Sequence, residues 1–293
     1  MTIRRYDATA ITSSSYALGE GIRVDDGRPP AWIDIPAGQL IVGSWERNGT
    51  WLTERQRIKI DVTVGAVGAA TDDGWVVAGA RRLYSVSSDG RVTAGPDVMP
   101  EGIQGRLNDG ALDARGRFVV GSLLAGDERP AHELWRVEAT GSVEVLRRDI
   151  GLSNGLGWSP DGSRLYHVDT AARTLSFHRY DEDPWDPDGW EPIPCDFAGA
   201  PDGLAVDQRG DIWVAQWGGG VVQCFTPAGR LTAEVSVPVP DVTCPAFVGD
   251  GRMLITTAGG GAGRSPGDGL LYVADIGIAG VATGLWPAAS TRS

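Results

Sequence analysis

Lysine is nearly absent from this sequence, and the residues that would mark several classes of protein are missing with it. Lys59 is the only lysine among 293 residues, and the formal net charge is −12. Because proteins that bind a phosphate backbone carry a basic patch, this acidic sequence argues against a nucleic-acid partner. No run of about 18 apolar residues is present, so no membrane partner is predicted. The opening residues MTIRRYDATAITSSS lack the apolar segment of a signal peptide, and we expect a cytoplasmic protein.

Cysteine is also scarce. The three cysteines are Cys195, Cys224 and Cys244, and none belongs to a CxxC pair. Three cysteines cannot all pair with one another, which favours reduced, packed thiols in the cytoplasm. Pairing between two of them stays open at this stage.

Glycine, in contrast, is abundant at 42 residues, and it marks a repeat. Six short turn motifs close at positions 27, 74, 116, 162, 210 and 251, which are 41 to 48 residues apart. Strand-like runs such as WVVAGA and RFVVGSL follow most of them. A repeat of roughly 40–50 residues, with strands joined by tight turns, is typical of a β-propeller blade. The sequence therefore predicts an all-β fold, a six-bladed β-propeller.

We expect residues 1–293 to form one propeller domain, with residues 1–12 and 287–293 as flexible ends. The first blade has the least regular pattern, because two prolines in DDGRPPAWIDI precede its second strand.

Polar residues recur at one place in this repeat, seven or eight residues before each closing glycine. The residues at that place are Glu20, Ala66, Asn108, Asn154, Asp202 and Thr243. Since blades are related by rotation about one axis, we predict that the four acidic and amide side chains form a ring at one mouth of the central channel. Each could instead cap its own turn. Buried like charges repel, however, unless a cation neutralises them.

The residues of this ring favour a hard cation. Glu20, Asn154 and Asp202 offer only oxygen atoms, which suit Ca²⁺, Mg²⁺ or Mn²⁺, whereas Zn²⁺ sites usually include His or Cys. The three histidines do not fall at ring positions. His167 and His178 are interpreted as packing or surface residues, and HEL at 132–134 is not the zinc motif H-E-x-x-H. The acidic stretch DEDPWDPDGW, at 181–190, lacks the glycine and glutamate of a calcium loop and is interpreted as a surface loop.

One stretch imitates the nucleophile elbow of serine hydrolases. GLSNG, at 151–155, matches G-x-S-x-G. That elbow requires a strand, a sharp turn and a helix. Here the following residues predict another strand, and GRSPG at 263–267 repeats the match within a glycine-rich loop. We therefore expect Asn154, and not Ser153, to be the functional residue of this stretch.

Several segments together closely resemble the gluconolactonase/regucalcin (senescence marker protein) family. They are LGEG at 18–21, RLNDGALDARGRF at 106–118, SNGLGWSPDGSRLYHVDT at 153–170 and PDGLAVDQRGDIWVAQWGGG at 201–220. Segments at 237–258 and 268–281 continue the match in the same order, so the resemblance covers nearly the whole chain. It implies a six-bladed propeller with one divalent metal at the channel mouth, and hydrolysis of sugar lactones.

The resemblance also assigns roles to residues of this chain. Glu20, Asn154 and Asp202 would hold the metal, and Arg106 and Asn108 would bind the substrate, a small-molecule sugar lactone. Metal use varies in the family, so Zn²⁺, Mg²⁺ or Mn²⁺ would be possible beside Ca²⁺, which the oxygen ligands favour. We expect a monomer or a weak dimer.

The chain departs from the family at a few positions. Ile22, Arg23 and Val24 stand where Pro-Val-Trp usually follows LGEG. Gly126 and Glu144 stand near the points at which animal members place a substrate-binding Glu and Lys. These differences leave the identity of the sugar acid open.

The hypothesis for the reaction is metal-assisted opening of the lactone. Asp202 would act as a general base toward water, or would only orient a metal-bound hydroxide. Arg106 would stabilise the developing oxyanion, and Asn108 would donate to a substrate hydroxyl or bind the metal through a water. Asp109 is expected to fix a turn. Alternative functions are hydrolysis of a phosphotriester or natural-product lactone at the same metal, and a non-enzymatic calcium-binding propeller.

Overall fold

The computed structural model describes residues 2–25, 27–46, 49–123, 132–180, 184–259 and 265–288. Within these ranges the regular structure is β-strand, and no helix is long and apolar enough to cross a membrane. In chain order the strands are β1 (Arg4–Asp7), β2 (Thr9–Ala10), β3 (Gly19–Arg23), β4 (Ala31–Asp34), β5 (Gln39–Trp45), β6 (Leu52–Lys59), β7 (Ala66–Ala69), β8 (Trp75–Ala78), β9 (Arg82–Val86), β10 (Val92–Asp97), β11 (Arg106–Leu112), β12 (Phe118–Leu123), β13 (His132–Val137), β14 (Val143–Ile150), β15 (Ser153–Trp158), β16 (Arg164–Asp169), β17 (Thr174–Arg179), β18 (Glu191–Ile193), β19 (Ala200–Val206), β20 (Ile212–Trp217), β21 (Val221–Phe225), β22 (Leu231–Ser236), β23 (Val242–Phe247), β24 (Arg252–Thr257) and β25 (Tyr272–Asp275).

These strands form six sheets, which are the six blades of a propeller. The first four blades are the antiparallel sheets β3–β6, β7–β10, β11–β14 and β15–β18. The fifth contains β19–β22 with β1, and the sixth contains β23–β25 with β2. The innermost strands are β3, β7, β11, β15, β19 and β23, and each contacts the next around the channel. The predicted six-bladed, all-β fold is confirmed, and the first blade has four strands although two prolines precede β4.

The N-terminal segment closes the ring of blades. Thr9 of β2 pairs with Val273 of β25, so the outer strand of the sixth blade comes from the start of the chain. Arg4 of β1 pairs in parallel with Ala233 of β22 on the fifth blade. Part of the segment for which the sequence predicts mobility is therefore hydrogen-bonded into two neighbouring blades. Residues 1 and 289–293, also expected to be mobile, lie outside the described residues.

The recurring glycine turns join the first and second strands of each blade. Five of the six closing glycines have the positive φ that glycine adopts without strain, between 72° and 91°; they are Gly27, Gly116, Gly162, Gly210 and Gly251. In the second blade Asp73 takes this conformation instead, with φ of 62°. Because each inner strand runs from its site residue toward such a turn, the turns lie at the channel mouth opposite the ring.

Apolar side chains pack between neighbouring blades and hold the inner strands in place. Trp213 of the fifth blade packs with Met253 and Tyr272 of the sixth. Phe118 of the third blade packs edge-on against Trp286, with ring centroids 6.4 Å apart. Aromatic side chains of this size bury large apolar areas and interlock, so packing between the blades holds the inner strands in position.

Candidate metal centre at the channel mouth

The ring predicted from the repeat is present at one mouth of the channel. Glu20 on β3, Asn108 on β11, Asn154 on β15 and Asp202 on β19 all lie near the start of an inner strand, and each is only 5–7% exposed. The Asn108 Nδ2 group donates to Asn154 Oδ1 over 2.8 Å, so two members touch directly. Glu20 and Asp202 are close enough for Coulombic repulsion.

The backbone ladder is interrupted at every ring position that carries a polar side chain. The pairing of the inner strand with its neighbour shifts register at or directly after Glu20, Asn108, Asn154, Asp202 and Thr243. Strand β7, which has an alanine there, pairs without interruption. An extra residue in one strand frees backbone groups and redirects side chains. These irregularities therefore accompany the site and not the blade architecture.

Glycines after two of the ring residues allow neighbouring inner strands to approach closely. A Cβ atom at Gly155 would lie 2.6 Å from the carbonyl oxygen of Asp202. A Cβ atom at Gly203 would lie 2.7 Å from the carbonyl oxygen of Thr243. Both distances are too short for a side chain, so the spacing between the fourth, fifth and sixth blades at the ring requires glycine here.

Three buried carboxylates face one another with backbone amides as their hydrogen-bond donors. Gly21 N–H donates to Glu20 Oε2 over 2.8 Å, Gly110 N–H donates to Asp109 Oδ1 over 2.7 Å, and the Gly203 amide donates to Asp202. Burial, with repulsion from Asp109, raises the pKa of Glu20 to about 8. Burial and repulsion from Glu20 and Asp109 raise the pKa of Asp202 well above its usual range. The cluster thus holds negative charge only at a large cost in free energy.

Asp109 also belongs to this cluster, although the sequence did not predict it as a site residue. It was expected to fix a turn, but it lies within β11, is 5% exposed, and has its pKa raised by burial. The position directly after the ring residue holds glycine in three other blades, as Gly21, Gly155 and Gly203. The presence of Asp109 where the other blades have glycine was the sequence feature that could have indicated a functional role.

Arg106 supplies positive charge to the mouth. Its Nη1 donates to Asn108 Oδ1 over 2.8 Å and to Leu107 O over 2.9 Å. Burial lowers the pKa of Arg106 to about 10, and the charge of Glu20 opposes that decrease. The guanidinium therefore stays charged at neutral pH, held in place by its neighbours on β11.

The structure also shows why Ser153 is unsuited to be a nucleophile. Ser153 Oγ lies 2.8 Å from His167 Nε2, an arrangement that resembles a catalytic pair. However, Arg147 Nη1 lies 2.9 Å from His167 Nδ1. Arginine only donates, so Nδ1 is the acceptor, Nε2 carries the proton, and His167 donates to Ser153. Burial and Arg147 lower the pKa of His167, and Ser153 is fully buried. His167 in this tautomer cannot take a proton from Ser153.

Other residues singled out in the sequence lie away from the ring. His132 and His178 are buried, on β13 and β17. Glu144 lies on the outer strand β14 and forms an ion pair with Arg136, so it does not reach the channel mouth. Gly126, residues 181–183 of the acidic stretch and residues 263–264 of GRSPG lie outside the described residues.

The cysteines are free thiols, and Cys224 and Cys244 are buried. Cys224 lies near Asp207 and Asp211, with one potential ligand atom of each within 4.8 Å of the others. Both carboxylate oxygens of Asp207 are already engaged, Oδ2 by Trp213 Nε1 at 3.0 Å and Oδ1 by the Arg209 and Asp211 amides at 2.8 and 3.0 Å. Asp207 and Asp211 flank the turn between β19 and β20, and the hydrogen bonds of Asp207 stabilise that turn.

A cavity of about 810 Å³ lies at the opposite mouth of the channel. Its lining includes Arg23 from β3, Ser159 and Gln208 from the glycine turns and Thr283 from the C-terminal segment, and none of the ring residues. Arg23, one of the residues that depart from the family pattern, reaches from β3 to donate to Gly110 O over 2.7 Å. This cavity and the carboxylate cluster therefore occupy different ends of the channel.

The donor set at the ring fits a hard divalent cation. Each buried carboxylate accepts a hydrogen bond from one backbone amide, which leaves oxygen lone pairs to bind a metal. The carboxamide oxygen of Asn154 provides a further lone pair. Oxygen-only sites of this kind suit Ca²⁺ or Mg²⁺. Glu20, Asn154 and Asp202 are the residues that would hold the ion.

Comparison with known proteins identifies the family of the chain. Residues 18–259 match the model of the SMP-30/Gluconolactonase/LRE-like region family. A 6-deoxy-6-sulfogluconolactonase from Pseudomonas putida is 33% identical, over 75% of each chain. An L-arabinolactonase from Azospirillum brasilense is 33% identical, over 94% of each chain. The crystal structure of a calcium-binding protein, regucalcin, from Agrobacterium tumefaciens is 26% identical, with a TM-score of 0.86 over 98% of this chain and 99% of the other.

The family match covers most of the chain, and it contains strands β3 to β24 and every residue of the ring. The chain belongs to the SMP-30/gluconolactonase/LRE-like family.

Proposed function

We propose that this protein hydrolyses a sugar lactone to its sugar acid, with a divalent cation held by Glu20, Asn154 and Asp202. The observation that carries this proposal is the cluster of three buried carboxylates beside a partly buried arginine, Arg106. Relatives named for the hydrolysis of sulfogluconolactone and arabinolactone support a lactone substrate. We favour Ca²⁺, because the donors are all oxygen and a relative is described as a calcium-binding protein.

The reaction adds water across the ring ester. The water oxygen bonds to the acyl carbon, the bond from that carbon to the ring oxygen breaks, and a proton reaches the departing oxygen. When bound, a divalent cation supplies positive charge that polarises the carbonyl and offsets the charge of the carboxylates.

Asp202 is the proposed acceptor for the proton of the attacking water. It lies buried at the channel mouth. Burial and acidic neighbours raise the pKa of the metal-free carboxylate, and a bound cation would lower that pKa again. Orientation of the water by Asp202, without full proton transfer, is the milder form of the same role.

Arg106 is proposed to stabilise the charge that develops on the carbonyl oxygen. Its Nη1 is engaged with Asn108 Oδ1 and Leu107 O, and the remaining N–H groups of its guanidinium are the donors this role requires.

The hydrogen bonds of Asn108 favour a role other than donation to the substrate. Both hydrogens of its Nδ2 group have partners, Asn154 Oδ1 at 2.8 Å and Ser153 O at 2.7 Å. No amide hydrogen is left to donate to a substrate hydroxyl. We therefore propose that Asn108 orients Asn154 and accepts a hydrogen bond from substrate through its own Oδ1.

The test is lactone hydrolysis measured with a pH indicator. Metal-stripped protein is compared with protein resupplied with Ca²⁺, Mg²⁺, Mn²⁺ or Zn²⁺, on glucono-, galactono-, xylono- and arabinono-lactones. We expect activity to return with metal and to fall at least about 100-fold in Asp202→Ala and Asn154→Ala. Glu144→Gln, on the outer strand, is the matched control and should keep full activity. Hydrolysis no faster than the spontaneous rate, in folded protein that binds a cation, would exclude sugar lactones as substrates.

A further inference from the structure

A directed chain of hydrogen bonds runs along the channel mouth from the third blade to the fifth. Arg106 Nη1 donates to Asn108 Oδ1 over 2.8 Å, and Asn108 Nδ2 donates to Asn154 Oδ1 over 2.8 Å. Asn154 Nδ2 then donates to Thr170 Oγ1 over 2.8 Å, and Thr170 Oγ1 donates to Pro201 O over 2.6 Å. From Arg106 to Pro201, each residue of this series therefore donates a hydrogen bond to the next.

The direction of hydrogen bonding is fixed at both ends of this series of hydrogen bonds. The guanidinium of Arg106 has hydrogens and no acceptor, so it must donate. The Pro201 carbonyl has lone pairs and no hydrogen, so it must accept, and the Thr170 hydroxyl hydrogen is committed to it. The orientation of the two amides between these ends follows from the chemistry of the ends.

Reversing the amide of Asn154 would create two conflicts. Its NH₂ group would face the NH₂ group of Asn108, and its oxygen would face a Thr170 oxygen whose hydrogen points elsewhere. Asn108 cannot reverse to relieve the first conflict, because Ser153 O also requires its NH₂ group. In the observed orientation Asn108 occupies one lone pair of Asn154 Oδ1, and the second remains for another partner.

Thr170 is well placed for this task. It directly follows β16, and its own amide donates to Leu152 O over 3.0 Å, which ties it to the segment that leads into β15. Asp169, next to it, accepts from the Gly151 and Leu152 amides at 3.0 Å each. The hydroxyl is therefore held between Asn154 and the residue that precedes Asp202.

We propose that Thr170 is a positioning residue, which holds the Asn154 amide with its oxygen turned toward the cation and links Asn154 to Asp202. This inference rests on the proposed function, because it takes Asn154 and Asp202 as cation ligands. It adds a residue that is not itself a ligand and that acts through its hydroxyl group.

The test compares Thr170→Val with Thr170→Ser in a Ca²⁺ titration of metal-stripped protein by calorimetry, without lactone. Valine keeps the shape and removes both hydrogen bonds, whereas serine keeps the hydroxyl. Loss of such an outer hydrogen-bond partner typically weakens metal binding about 10- to 100-fold, and we expect that loss for Thr170→Val. Thr170→Ser should bind Ca²⁺ within about threefold of wild type.

Thr12→Val is the matched control, because Thr12 is buried and its hydroxyl likewise accepts from one group, Leu271 N–H, and donates to another, Ser14 O. It should leave Ca²⁺ affinity unchanged. Melting temperatures in chelator establish that each variant is folded, and Thr170→Ala replaces Thr170→Val if the latter does not fold.

Each outcome has a distinct meaning. Unchanged Ca²⁺ affinity in Thr170→Val, or equal losses in Thr170→Val and Thr170→Ser, would overturn the positioning role. Wild-type protein that binds Ca²⁺ and hydrolyses no lactone would refute the proposed reaction and leave the positioning role standing. Wild-type protein that binds no Ca²⁺ would overturn the positioning role as stated.

Discussion

Replacing Glu20 with glutamine should stabilise the metal-free protein at alkaline pH. Burial, with repulsion from Asp109, raises the pKa of Glu20 from an ordinary 4.5 to about 8. Each pKa unit corresponds to about 1.4 kcal/mol, so ionised Glu20 costs the fold about 5 kcal/mol. An acid with a raised pKa in the fold contributes its stability below pH 4.5 and loses it as the pH rises toward 8. Glutamine resembles the neutral acid and avoids that cost.

The assay is thermal unfolding in chelator, from pH 4.5 to pH 9, followed by circular dichroism. At pH 9 we expect Glu20→Gln to unfold about 10–20 °C above wild type, since the cost is about 5 kcal/mol and each kcal/mol corresponds to about 2–4 °C in large domains. The difference should vanish toward pH 4.5. Added Ca²⁺ should stabilise wild type and have little effect on Glu20→Gln. Glu144→Gln, whose carboxylate is half-exposed, should show no pH-dependent gain. If Glu20→Gln unfolds at or below the wild-type temperature at pH 9, the reasoning about buried charge is wrong.

Two further substitutions test the surroundings of the ring. Ser153→Ala should keep lactonase activity within about threefold and lose about 1–3 kcal/mol of stability, because the buried Nε2–H of His167 loses its acceptor; a loss of about 1,000-fold in activity would restore Ser153 as a nucleophile. Gly155→Ala should weaken Ca²⁺ binding by more than tenfold and cost about 1–3 kcal/mol, because its Cβ would lie 2.6 Å from the Asp202 carbonyl oxygen. Calorimetry and thermal unfolding measure both effects, and full Ca²⁺ affinity in Gly155→Ala would show that the inner strands can separate without harm to the site.

The fold was predictable because its signal is local and repeated. A tight turn needs a residue that accepts positive φ, and five of six closing glycines have it. The spacing of those turns then fixes the number of blades. The closure of the ring by residues 4–7 and 9–10 was not predicted, because short edge strands that pair with the far end of the chain have no local signature.

The ring itself was also accessible, because rotation relates equivalent positions in the blades. The hydrogen-bond partners were not, since they depend on contacts between blades. Asp109 looked like a turn residue beside a glycine, and Asn108 looked like a free donor until both of its amide hydrogens were found to be engaged. Thr170 lies 16 residues from Asn154 along the chain, and only the pairing of β15 with β16 brings the two together.

The second blade provides the comparison that separates architecture from function. Its ring position holds Ala66, and β7 pairs with β8 in uninterrupted register. An inner strand of this propeller therefore needs neither a polar side chain nor a break in its ladder. The other five strands carry both, and three buried carboxylates repel one another there. Features that cost stability and that the fold does not require are retained for what they bind. The charge and geometry of this ring, more than the propeller around it, support the proposal of a cation at the channel mouth.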